Sequence, residues 1–137
     1  MAFLTETDYN VQIRASIRNI IAQNNNVTLD TAESMAIEEM KSYLAGKYDC
    51  AAIFSATGAS RNALIIMYCI DITLYHLHSQ AASNNIPELR QTRYNAAIDW
   101  LKDVNRDLLN PNLPLLDTSN PSVSITLGGD TKVAEKW

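Results

Sequence analysis

The chain has 137 residues, of which 47% are apolar and 19% charged, and it carries a net charge of −4. That length fits one domain able to bury a core without covalent staples, and the charge content is slightly low for the surface it must cover. Lys and Arg are scattered rather than clustered, which excludes direct, salt-dependent binding to DNA phosphates as the main activity. The two cysteines, Cys50 and Cys69, form no disulfide framework and read as reduced thiols of a cytosolic product. Met1 to Leu4 runs straight into polar residues, so no secretory signal is expected. The longest apolar run, Leu64 to Ile70, stops at Asp71, well short of a membrane span.

A first helix is expected from about Thr5, where Thr5 and Asp8 imitate a capping box with Asp in the place of Glu. Ile13, Ile17, Ile20 and Ile21 extend it at helical spacing until Asn24, Asn25 and Asn26 stop it. A second helix is expected from Asp30 as N-cap, with Glu33 completing the box. Ala32, Ala36, Met40, Tyr43 and Leu44 form its apolar stripe, and Gly46 suits a left-handed position just past its end. Residues 47–60 read as a loop with room for a short helical turn, from which Ile53 and Phe54 plug the core.

The third helix, from about Arg61 to Gln80, is apolar on nearly every side and must be the central one. Pro87 opens a fourth, with Tyr94, Ala97, Ile98, Leu101, Val104 and Leu108 as its stripe. Asn110 to Pro114 cannot continue it. Ser122 to Leu127 alternates polar and apolar residues as a half-buried strand does, but it has no partner strand in the chain. The fold class is therefore all-α: a four-helix domain around a central buried helix over residues 1–109, followed by an extended C-terminal arm over 110–137 able to form one β-strand.

Catalytic and metal chemistry find little footing. His76 and His78 are two residues apart, so they point to different sides of a helix and cannot chelate one metal. No glycine pattern matches a phosphate loop, and Gly58-Ala59-Ser60 lacks the residues of a nucleophile elbow. No catalytic residue, metal site or cofactor is expected. Asp71 stands out as one acid inside the most apolar helix. A buried carboxylate needs a partner, and Arg90, Arg93, Tyr43 or Tyr94 are in range by position, with Asp71–Arg93 assigned as a structural ion pair that fixes helix register. Trp100 and Trp137 are aromatic enough to anchor an interface, although Trp100 lies beside the apolar stripe and suits core packing.

Three segments together carry a resemblance. They are Ala36 to Asp49, with its Ser42-Tyr43-Leu44 and Tyr48-Asp49, then Asn62 to Leu77 bearing Asp71, then Pro87 to Arg90 with Arg93-Tyr94 and Trp100-Leu101. In order and spacing the chain, from about Phe3 to Leu113, resembles the small tailed-phage and prophage family related to the Mu head–tail protein, among the helical head–tail connector (adaptor, head-completion) proteins. Where such proteins often have Pro after Asn62, this chain has Ala63. The resemblance implies a non-catalytic virion protein at the head–tail junction, made in the bacterial host cytoplasm. Its partners would be the portal protein and tail or other connector proteins, and it would form a homo-oligomeric ring, usually twelve-fold. DNA would only pass through that ring, and no membrane is involved. It also gives the arm a use, with Val123, Ile125 and Leu127 as a subunit-contact edge. A small helical regulatory module that binds a host or phage protein is the competing expectation.

Overall fold

The structure, a computed structural model, describes residues 3–14, 17–19, 26–80 and 86–116. Its helices are α1 (Glu6–Gln12), α2 (Asn26–Leu44), α3 (Cys50–Ser55), α4 (Ala63–Gln80) and α5 (Glu88–Asn105), with a 3-10 turn at Gly58–Ser60 and a helical stretch at residues 17–19. No strand occurs among the described residues, only one isolated antiparallel bridge between Tyr48 and Leu115. The fold is all-α, as the periodicity predicts. Val123, Ile125, Leu127 and Trp137 lie outside the described residues.

α4 is the central helix. It packs against α2 and α5, which also touch each other, and α1 lies against its first half. Every residue from Cys69 to Leu74 is buried, as are Ile65 and Leu77. α2 meets it with Ala32, Ala36, Met40 and Leu44, and α5 with Ala97, Leu101 and Val104, all at most 1% exposed. The alanines let the backbones approach closely while Met40, Leu74 and Leu101 fill the space between. Each fully buried Leu or Met contributes about 1.5–3 kcal/mol relative to its exposed form. Asn62 caps α4: its side-chain oxygen accepts from the Leu64 and Ile65 amides at 2.9 and 3.1 Å.

Several boundaries differ from the periodicity. The Thr5–Asp8 capping box forms at α1, but α1 ends at Gln12 because Ile13 turns extended (φ −152°, ψ 142°), a backbone that suits a β-branched residue. Ile17 is then 46% exposed while Arg18 is buried over the Tyr9 ring. α2 begins at Asn26 rather than after Asp30. Leu29 packs against the core and rewards the extra turn, and Glu33 is engaged elsewhere, as described below.

Gly46 is not left-handed. The chain keeps coiling after Leu44, with the Ala45 amide donating to Lys41 and the Tyr48 amide to Leu44. A left-handed helix exit occurs past α5, at Asp107 (φ 63°). There the Asp107 amide bonds the Val104 carbonyl and the Leu108 amide the Asp103 carbonyl, the paired bonds of a Schellman ending. Lys47 Nζ holds the Asp107 carboxylate at 2.8 Å. α5 therefore stops at Asn105, and Leu108, expected on its apolar stripe, is 67% exposed. Pro87 stands at the N-cap rather than in the first turn.

The expected loop at residues 47–60 contains α3, started by Asp49, whose carboxylate accepts from the Ala52 amide at 3.1 Å. Ile53 is buried, and half-buried Phe54 meets the Phe3 ring edge-on at 5.2 Å. Past α5, Leu113 is buried, the Asp49 amide donates to Pro114 and the Leu116 amide to Lys47. Residues 110–116 thus run back along the helical body.

Candidate interaction groove

The structure brings Asp71 and Arg93 together. Asp71, in the middle of α4, is 2% exposed, and Arg93 Nε donates to its Oδ1 at 2.7 Å. Arg90, one turn earlier on α5, places Nη1 3.9 Å from the same oxygen, without a hydrogen bond. Burial pushes the Asp71 carboxyl above the usual aspartate range, and the two guanidiniums oppose that shift. Tyr94, another partner in range by position, instead gives its hydroxyl to Glu39 Oε2 at 2.7 Å.

Arg93 also donates to the Gln12 side-chain oxygen, and the Gln12 amide donates to the Met67 carbonyl at 3.3 Å. One chain of polar contacts therefore joins α5, α4 and α1. Two more polar ties hold α1. Arg61 pairs with Asp8 and also donates to the Phe3 carbonyl at 2.9 Å. Tyr9 donates to Glu33 Oε2 at 2.9 Å, and Glu33 Oε1 accepts from the Leu4 amide at 3.3 Å. Glu33 and Tyr9 are buried. Desolvation raises the Glu33 carboxyl above its usual range, and desolvation together with the neighbouring carboxylate raises the Tyr9 phenol. Capping-box spacing gave Glu33 a local role; its actual partner lies 24 residues away, which no local pattern reports.

A second polar cluster sits on the other side of α4. His76 Nε2 lies 3.1 Å from Glu39 Oε1, and the Tyr75 and Tyr94 rings stack at 3.9 Å. These groups satisfy one another and tie α2, α4 and α5. Trp100 packs against Tyr68 at 4.9 Å, so it is used within the fold. Among the described residues, no three His, Cys, Asp or Glu side chains gather in a metal-binding group, and no helix is long and apolar enough to cross a membrane. Cys50 and Cys69 are both free, and burial raises each thiol.

What the polar ties leave between α1, α4 and α5 is a groove of about 500 Å³. Ile66, Met67 and Ile70 of α4 form its floor, Val11 of α1 one bank, and Leu89, Arg90 and Arg93 of α5 the other. Val11 is 84% exposed and Leu89 59%. Around it, three guanidiniums (Arg61, Arg90, Arg93) stand beside two carboxylates (Asp8, Asp71). The groove can therefore bury apolar side chains and favours a carboxylate among them.

The chain matches the family model described as Bacteriophage Mu, Gp36 over residues 4–124. That match runs past Leu113, where the motif resemblance stops, and takes in Val123 of the arm. No curated protein and no solved structure matches. With nearly its whole length covered by that one model, the chain belongs to the Bacteriophage Mu Gp36 family of phage proteins.

Proposed function

We propose that the protein is a non-catalytic head–tail connector of a phage virion, which binds the portal and assembles there as a homo-oligomeric ring. The observation that carries this reading is membership of the Mu Gp36 family over residues 4–124. The molecule fits it. Several of its polar side chains join helices, as in Asp71–Arg93, Tyr9–Glu33 and Tyr94–Glu39. Among the exposed apolar side chains of the described residues, Val11 and Leu89 line the groove and Leu108, Leu109 and Leu115 lie past α5, while Ile17, Met35 and Leu64 stand elsewhere. Two apolar surfaces on one subunit suit a head-to-tail contact that closes into a ring around a DNA channel.

The test is reconstitution. The purified protein is mixed with the portal ring encoded by the same phage and imaged by electron microscopy. A ring of subunits stacked on the portal is the expected result. No binding under any assembly condition, with stoichiometric capture of one host protein instead, would replace this reading by that of a regulatory module.

A further inference from the structure

The groove between α1, α4 and α5 has an apolar floor and more guanidiniums than carboxylates, and the chain itself contains a segment of complementary chemistry. We propose that this groove is the acceptor for residues 117–130 of a neighbouring copy, with Val123, Ile125 and Leu127 laid on its floor. The inference rests on the connector reading, because it names the surface by which one subunit of the ring grips the next.

Three observations converge on it. The first is apolar exposure: Val11 at 84% and Leu89 at 59% line the same groove as Ile66 and Met67, a placement that leaves apolar surface wet until something covers it. The second is charge. Asp71 is shared between Arg93 at 2.7 Å and Arg90 at 3.9 Å, and Asp8 is taken by Arg61. Among these five groups the guanidiniums exceed the carboxylates by one. Residues 117–130 contain Asp117 and Asp130 and no Lys, Arg or His, so this segment carries the opposite sign.

The third is length and register. In an extended segment alternate residues share one face, which sets Val123, Ile125 and Leu127 along a single edge with serine and threonine opposite. That edge spans about 13 Å at ~3.3 Å per residue. The floor from Ala63 to Ile70 rises about 10 Å along α4, a comparable length. Leu116, the last residue before this segment, is anchored by its amide bond to the Lys47 carbonyl. Val123 lies seven positions beyond Leu116, with six residues between them, a reach of up to ~23 Å, ample to cross to an adjoining subunit. An arm and a groove on different parts of one chain form a heterologous pair, and such a pair propagates around a ring.

Cross-linking tests this directly. In a Cys50→Ser background, a chain with Val11→Cys is mixed with a size-tagged chain carrying Ile125→Cys, free and on the portal ring, and mildly oxidised. Disulfide-linked pairs of tagged and untagged chains are expected. Leu89→Asp in the Val11→Cys chain should lower their yield by roughly tenfold, since a charge on the bank removes on the order of 1.4 kcal/mol of contact. Linkage found only within a chain bearing both cysteines, a yield indifferent to Leu89→Asp, or no linkage in either setting would overturn the assignment. Portal binding is followed on the same samples by co-sedimentation. Cross-links without portal binding would support the groove assignment and overturn the connector reading, and portal binding without cross-links would do the reverse.

Discussion

Two parts of this small protein are held together by different physics. The α2–α4–α5 trio is joined by apolar packing: Met40, Leu44, Ile72, Leu74 and Leu101 are all at most 1% exposed. α1 contributes one buried residue of its own, Tyr9, and is fastened by polar ties, Asp8–Arg61, Tyr9–Glu33 and Gln12–Arg93. Apolar packing is broad and insensitive to small movements, whereas hydrogen bonds fix direction and distance. The trio therefore supplies stability, and the ties determine where α1 stands and so how wide the groove is.

Leu74→Ala should widen this contrast most. It opens a cavity in the fully buried centre of α4 and is expected to lower unfolding free energy by about 2–5 kcal/mol, read by urea denaturation. Arg93→Met strips Asp71 of its hydrogen-bonding partner and Gln12 of its donor. Because Arg93 is a third exposed and Arg90 remains nearby, the loss should fall well below the ~3–5 kcal/mol typical of breaking a fully buried pair. Arg93→Lys should restore little of it, since Lys lacks the planar fork that reaches two acceptors at once.

Tyr9→Phe leaves the Glu33 carboxylate short of one donor and is expected to cost about 1–3 kcal/mol. Its distinguishing effect is local: amide exchange should accelerate across α1 and Leu4 while the amides of α4 stay protected. If α4 exchange accelerates equally, α1 is part of the central cooperative unit and the contrast between the two regions fails.

Acid titration sharpens the same point. Burial raises the folded-state carboxyls of Asp71 and Glu33. A carboxyl with a folded pKa above its unfolded value binds more protons in the native state, so its contribution to stability is largest below the unfolded pKa and declines as pH rises through the folded one. Glu33→Gln should remove its share of that decline, leaving a flatter stability profile from about pH 4 upward. A steeper profile in the variant would show that Glu33 is held below its usual range instead.

The smallest effects on stability are expected where the effects on assembly are largest. Val11→Asp and Leu89→Asp alter exposed banks of the groove and should shift stability by no more than about 0.5 kcal/mol. They should nevertheless sharply reduce ring formation on the portal, read by electron microscopy. Deleting residues 117–137 should likewise leave the thermal melt of the helical body nearly unchanged. A collapse of the melt would show that the arm packs on its own subunit.

The sequence by itself determined the helical class, the central place of α4 and the need of Asp71 for a cationic partner. Each follows from composition and periodicity over a continuous stretch, because a helix that is apolar all round has only one stable location and a buried acid only a few remedies. The Asp8 capping box was legible for the same reason, since its two members are three residues apart. Tertiary structure alone decided the rest. Glu33 looked like a cap because its spacing to Asp30 was right, yet Tyr9 and Leu4 claim it across a fold contact. Gly46 looked like the left-handed exit of α2, yet that helix ends without one, and the left-handed exit falls past α5 at Asp107, where Lys47 pairs with it. The groove is formed by three helices that are distant in sequence. Its banks, Val11 and Leu89, are ordinary aliphatic residues in their own helices, and only the packing of the helices brings them to one groove. Local patterns report what a residue can do with its neighbours in sequence; the choice among partners is made by the free energy of burying the whole chain at once.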